Sequence, residues 1–420
     1  MGARKEFLGD SKVFCILPWL HQYVATNGRI QSCCLAIEGV ADLKTSTLSR
    51  AWNSPGMRGL RRNMLEGKPS PQCVNCYELE ESRGRSLRQR FNDHWRRRLG
   101  EVEATRADGG LDEFRPPFIS IRFSNVCNFR CRTCGPHDST SWYEDARTLR
   151  GTVDHPRFLT PTEDPEELWR QLEPLVPTVE EIHFAGGEPL IMDEHYRLLR
   201  ILIERRLFGV RLVYATNFSN MTHRGQDVLE LWNKFESVEV SASLDGSGRR
   251  GEYLRKGQDW DQVVANRERL SRACPRVRFQ VMPVLSAMNS LHLPDFHEDW
   301  LDKGYLGPGD WFMTMLHGPH EYRIQVLPGG LKGQVAEKFN RHAEHLLGRW
   351  GGAAKDAAAM YSTAVDFMMA QDRTDELERF RVTTRELDRL RGESFAAVFP
   401  ELAELMLPDP KSAAGPDRAI

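Results

Sequence analysis

No stretch of this 420-residue chain approaches the run of about 18–20 apolar residues that a membrane-crossing helix needs. The opening residues, MGARKEFLGDSK, contain no apolar segment of the secretory-signal kind. Glu6 stands where the myristoylation pattern asks for Ser or Thr. The expectation is a soluble, cytoplasmic protein with no membrane partner. A strong charge excess is also missing. The chain has 57 Lys and Arg against 59 Asp and Glu, a formal net charge of −2. That argues against a general binder of polyanions and leaves only local patches to consider. No internal repeat is visible.

Cysteine is scarce, but its placement is informative. There are nine, and in a reducing compartment metal ligands or buried thiols are more expected than disulfides. Cys15, Cys33, Cys34, Cys73 and Cys76 fall in the first 80 residues, Cys127, Cys131 and Cys134 form a tight triplet, and Cys274 stands alone. Two metal centres plus spare thiols would produce this grouping.

Residues 1–100 read as short α+β segments ending in a basic helix. QYVATNGRIQSC suggests a hairpin with an Asn27-Gly28 turn of type I′, which would carry Cys33 and Cys34 on a strand. Glu81 to Arg98 reads as helical and basic, and GEVEATRADGGLDE as a linker. From about 115 to 320 the pattern becomes strand–helix alternation. FISIRFS, VEEIHFAGGEP, VRLVYATN, SVEVSASLDG, RVRFQVMPVLS and DWFMTML are the expected strands. DPEELWRQL opens a helix with Asp164 as N-cap, Pro165 at its first position and Glu167 completing a capping box. Six such units predict an α/β fold with a partial (β/α)6 barrel, whose site lies at the C-terminal strand ends. Residues 321–407 read as a helical extension and 408–420 as a disordered tail.

The triplet lies in NVCNFRCRTCGP, directly after the first barrel strand. Three thiolates on one loop can hold three irons of a 4Fe–4S cluster and leave the fourth iron open. A zinc site usually has four ligands, and only His137 follows nearby. With AGGEP at the end of the second strand, the pattern resembles the radical S-adenosylmethionine superfamily. The resemblance implies that Cys127, Cys131 and Cys134 are both metal ligands and catalytic. In that family the open iron chelates S-adenosylmethionine, and an electron from the cluster cleaves it to a 5′-deoxyadenosyl radical that abstracts hydrogen. It also implies that Gly186, Gly187 and Glu188 receive the methionine amino group, and that Thr216, Asn217, Ser241, Ser243 and Asp245 reach the ribose and carboxylate. Arg255 looks like a carboxylate-pairing arginine, and Val284 and Asn289 like adenine neighbours. Read as residues alone, Thr216, Asn217 and Asp245 could serve turns, and Arg255 could be a solvated surface charge. Many members have an aromatic residue before the third cysteine; here Thr133 stands there.

Twelve residues separate Cys15 from Gly28, and four separate Gly28 from Cys33; Cys73-Val74-Asn75-Cys76 adds a close pair. This resembles the opening of SPASM and twitch auxiliary-cluster domains. It implies a second 4Fe–4S cluster held by Cys15, Cys33, Cys73 and Cys76, serving electron transfer or support. A structural zinc has similar spacing rules. On a strand, Cys33 and Cys34 would point to opposite faces, so Cys34 is expected in the small domain's own core. The order, with the auxiliary domain first, resembles twitch-domain radical proteins of phage and environmental genomes. An electron donor of the flavodoxin or ferredoxin type is implied.

Two substrate classes stay open at this point. One is an amino-acid-like group in a peptide or small molecule, although no domain for a leader peptide is visible. The other is a nucleic acid or a hypermodified base. Seven arginines between Arg83 and Arg98, interleaved with Phe91 and Trp95, could grip phosphates. A solvated helix bridging two domains would have the same composition.

Overall fold

A computed structural model describes residues 11–408. The expected tail therefore lies outside the described residues, apart from its first position. The centre is a parallel sheet of five strands: β4 (Phe118–Ile121), β5 (Glu181–Phe184), β6 (Arg211–Thr216), β7 (Val238–Ala242) and β8 (Arg278–Val281), neighbours in that order. Each pairs in parallel with the next, as strand–helix alternation requires. The expected sixth strand is reduced to Thr314–Met315, which pairs with Val284–Leu285, plus one bridge from Trp311 to Val281. Pro283 cannot donate to a ladder, and it interrupts the fifth predicted run at that point.

The N-terminal segment continues this sheet. β1 (His21–Val24) lies parallel to β4, and β2 (Arg29–Gln31) and β3 (Ala41–Asp42) follow antiparallel. The described N-terminal region is thus joined to the barrel edge by main-chain hydrogen bonds. An open strand edge is thereby covered.

The hairpin turn differs from the expected type I′. Gly28 N–H donates to Ala25 O at 3.0 Å, and Ala25 N–H to Arg29 O at 2.9 Å. Among the described residues of this turn only Gly28 has positive φ, at +89°. This is the turn-plus-bulge hairpin, which needs one left-handed residue where type I′ needs two. A Cβ at Gly28 would also meet Pro161 O at 2.6 Å. β2 then ends at Gln31, and Cys33 and Cys34 lie in the bend and turn beyond it.

Helices cover the sheet: α1 (Pro165–Leu172), α2 (Asp193–Glu204), α3 (Trp260–Ala273) and α4 (Leu293–Asp302). Asp164 caps α1 through Glu166 N–H, but Glu167 pairs with Arg170 and Gln171, so the capping box does not form. The basic stretch is broken. Leu87–His94 is helical with a Ser86–Gln89 capping box, and Arg96–Ala104 is 3-10. The C-terminal extension contains α5 (Gly329–Trp350), α6 (Lys355–Met369) and α7 (Leu377–Arg391). It is latched to the cysteine loop by buried charge. Arg132 meets Asp388 at 2.5 Å and Glu393 at 2.8 Å, and Arg391 donates to Asp145 at 2.9 Å.

Candidate active site and auxiliary cysteine cavity

The triplet loop leaves β4 and returns as Arg130–Cys131, which pairs antiparallel with Arg255–Lys256. Cys131 is buried, and Cys127 and Cys134 are half-buried. Phe129 N–H donates to Cys127 Sγ at 3.4 Å. Burial pushes the Cys127 thiol up to about 12. A hydrogen bond between Cys134 and Cys131 holds Cys131 below the ordinary thiol range and Cys134 above it. Main-chain and side-chain donors are aimed at Cys127 and Cys131. This suits a cationic cluster bound by thiolates, whose potential such hydrogen bonds set.

The second loop seals the first. Gly186 and Gly187 have φ +81° and +50°. A Cβ on Gly186 would strike the Arg122 side chain at 2.3 Å, and one on Gly187 would strike Val126 O at 2.2 Å. Glu188 N–H donates to that same Val126 O at 2.8 Å. The glycines let this loop close on the residue before Cys127. The buried Glu188 carboxylate accepts from Leu190 N–H, Thr216 Oγ1 and Asn217 N–H at 3.0, 2.7 and 2.6 Å. Burial nonetheless raises it to about 7.

The other predicted residues divide into two groups. Asn217 Nδ2 reaches Asn128 Oδ1 at 2.9 Å and lies 4.0 Å from Cys127 Sγ, so it borders the cluster loop. Ser243 is half-buried beside Thr216, to whose carbonyl its N–H donates at 2.7 Å. The second group is engaged within the protein. Ser241 Oγ accepts from Gln280 at 2.7 Å. Asp245 accepts from Val284 N–H at 2.8 Å and from Arg255 Nη2 at 3.0 Å. Arg255 Nε lies 2.8 Å from the same carboxylate, and Nη1 lies 3.7 Å from Cys131 Sγ. Asn289 donates to Asp245 O and Val284 O and accepts from Ser286 N–H. Asn289 thus ties the β7 loop to Val284 and has no amide group turned to a ligand.

Sequence reasoning missed a polar row across the sheet. His21 Nε2 lies 3.0 Å from Ser120 Oγ, which lies 3.5 Å from His183 Nδ1. Burial lowers both histidines to about 4. Arg122 continues the row, with its guanidinium over the Tyr23 ring and 3.7 Å from Asp138. The signal was present in FISIRFS, where Ser120 and Arg122 alternate with apolar residues.

Cys15, Cys33, Cys73 and Cys76 line one cavity with Leu17, Met64 and Phe91. Three separated segments contribute, brought together by the helix at Val74–Glu81 and the β2 turn. Burial raises all four thiols, Cys73 to about 11. Leu17 N–H and Leu35 N–H act against this at Cys15 and Cys33. They repeat, two residues downstream of each cysteine, the Phe129–Cys127 hydrogen bond. Four thiols in an apolar cavity fit a fully ligated cluster. Cys34 does not line this cavity. It is exposed, and Arg122 is among its charged neighbours. The expectation of a buried Cys34 fails because strand alternation stops at Gln31, before the pair begins. Cys274 is buried, as a small apolar side chain would be.

The arginines of 83–98 are largely engaged within the protein. Arg88 meets Glu80 at 2.5 Å, Arg85 pairs with Asp93, and both Arg97 and Arg98 pair with Glu180. Arg90 stacks on Phe312.

Residues 121–298 match the model of the radical SAM superfamily, and residues 15–77 match that of SPASM, an iron–sulfur cluster-binding domain. No curated protein matches the chain. Among solved structures, the chain is similar to native anSMEcpe with bound AdoMet and Cp18Cys peptide, at 16% identity and TM-score 0.38. That similarity covers 56% of this chain and 59% of the other, so the chain spans less than two thirds of that relative. It is also similar to TYW1 with a lysine-pyruvate adduct bound, at 12% identity and TM-score 0.30, covering 53% and 70%. Among the described residues no helix is long and apolar enough to cross a membrane.

Proposed function

The chain belongs to the radical SAM superfamily and carries an iron–sulfur cluster-binding domain ahead of the barrel, and from this premise we propose that it abstracts hydrogen from a carbon of an amino-acid-like or peptide substrate. Its cofactors are S-adenosylmethionine with a 4Fe–4S cluster and auxiliary iron–sulfur. When bound, the cluster and S-adenosylmethionine supply the 5′-deoxyadenosyl radical, and the protein supplies binding and orientation.

In this reading Cys127, Cys131 and Cys134 hold the reactive cluster, and Cys15, Cys33, Cys73 and Cys76 hold the auxiliary one. The observation that carries it is the pairing of a cysteine triad on the loop after β4 with a cysteine tetrad lining one cavity of the N-terminal region. Gly186 and Gly187 position the Glu188 loop against the triad. The Glu188 carboxylate orients Thr216 and Asn217 at the end of β6. Arg255 places positive charge on the Cys131 side of the loop. A flavodoxin or ferredoxin-type protein would deliver the electron.

The nucleic-acid reading rests on the resemblance to phage proteins and on the arginines of 83–98, and most of these arginines have partners within the chain. That weakens the second of its two supports. The test is deuterium transfer. Anaerobically reconstituted protein is reduced with dithionite and given perdeuterated extract separated into peptide, small-metabolite and nucleic-acid fractions. Deuterium in 5′-deoxyadenosine from the peptide or amino-acid fraction is expected. Transfer only from nucleic acid would overturn the substrate reading, and no 5′-deoxyadenosine at all would overturn the enzyme reading.

A further inference from the structure

Beside the triplet loop, three side chains converge that the reading above does not use. His137, Asp154 and His155 each offer a ligand atom, and these atoms lie within 4.8 Å of one another. The two imidazoles stack with centroids 4.0 Å apart at 27°, so the exposed His137 ring turns out of the stack for both lone pairs to meet at one ion. His155 Nδ1 lies 2.8 Å from Pro156 O. A carbonyl can only accept, so Nδ1 carries the proton and Nε2 carries the lone pair. That Nε2 is buried and has no hydrogen-bond partner. A histidine whose other nitrogen donates to a backbone carbonyl has the tautomer and orientation of a metal ligand.

The scaffold is independent of these three residues. Asn125 is fully buried, and its Nδ2 donates to both Pro136 O and Arg157 O at 3.0 Å. One amide therefore holds the His137 segment and the His155 segment side by side. Its Oδ1 accepts from Leu159 N–H at 2.9 Å. His137 is fixed further where its carbonyl accepts from Thr26 Oγ1, in the β1–β2 turn, at 3.3 Å. Tyr143 Oη donates to His155 O at 3.3 Å.

We propose that His137, Asp154 and His155 form a third metal centre, a site for a divalent cation of the zinc class. Two neutral imidazoles and one carboxylate are the nitrogen and oxygen donors such a cation prefers. Three protein ligands leave a position open. His137 and Asp154 are exposed, so that position faces solvent, where water or an anionic substrate group completes the shell. The bound cation joins the 151–157 segment to the loop bearing Cys134. The site stands whether or not the peptide reading holds.

The test uses cluster-loaded protein, cleared of loose metal with a chelating resin and then titrated anaerobically with zinc. Wild type is expected to keep about one zinc beyond its about eight irons, four per cluster. Its zinc X-ray absorption should show only nitrogen and oxygen neighbours, with imidazole scattering. Asp154→Ala with His155→Ala should lose the zinc and keep the iron. Zinc should also slow tryptic cleavage after Arg150 and Arg157 in wild type alone. Sulfur in the zinc shell would place the metal on the cysteines and overturn the proposal. So would wild type that keeps no zinc, or a double variant that still holds it. The absorption spectrum of wild type decides even if the variant folds poorly.

Discussion

The two cysteine groups solve opposite problems. The triad sits on one loop among polar and charged groups: Arg255 near Cys131, Asn217 near Cys127, and Arg122 across the glycine loop. The tetrad is assembled from three segments in a cavity lined largely by apolar side chains. A site that must admit a charged ligand needs donors and countercharges around an open position. A site that only holds a cluster needs closure and exclusion of water. In the proposed reading, the cluster that reacts is the one whose surroundings can bind something else.

The comparison can be broken at several points. The largest effect should follow replacing a triad cysteine. Cys131→Ala is expected to abolish 5′-deoxyadenosine formation under dithionite while the auxiliary iron remains; persistence of cleavage would end the distinction. Cys33→Ala should remove about half the iron, the share of one of two four-iron clusters, whereas Cys34→Ala should retain all of it. Iron counting after gel filtration checks both.

Arg255→Met tests the charged setting of the triad. It leaves Asp245 buried without its guanidinium partner, which costs about 3–5 kcal/mol in chemical denaturation. Removing positive charge from Cys131 should also make the barrel cluster harder to reduce, read by potentiometric titration, with the auxiliary potential unmoved. Glu188 gives a pH signature. Its folded pKa, about 7, lies above the ordinary 4.5, so the folded chain binds the extra proton between these values. Stability of the metal-free chain should fall as pH rises from 4.5 to 7, by about 3 kcal/mol from this group. Glu188→Gln should flatten that slope. The smallest effect belongs to Arg97 and Arg98. Their pairs with Glu180, partly open to solvent, are worth about 1 kcal/mol, and Arg97→Ala with Arg98→Ala should leave nucleic-acid binding as it was.

Much of the fold was legible because its signals are local. The parallel strands of FISIRFS, EEIHFA, RLVYAT and VEVSA are apolar runs ended by turn residues, and all four form. The hairpin was found but its turn was misread, since Asn27-Gly28 suits two turn types and only the backbone chooses between them. Cys34 was misplaced for a related reason: strand alternation was extended two residues past the strand's end. The latch from Arg132 to Asp388 and Glu393 joins positions more than 250 residues apart, and no spacing rule reaches that far.

The amino-acid sequence alone carried the resemblance from which the proposed chemistry is drawn. Spacing within the triad and the glycine loop is a short-range property that could be read from neighbours along the chain, whereas the tetrad's membership came from the resemblance of its spaced cysteines to an auxiliary-cluster domain. Only the tertiary structure decided what those groups face. It joined β1 to β4, set Arg255 between Asp245 and Cys131, engaged the basic segment with Glu80, Asp93 and Glu180, and left Cys34 outside the cavity that the other four N-terminal cysteines line. Each depends on which distant segment arrives to complete a hydrogen bond or an ion pair, and such partners are chosen by packing of the whole chain.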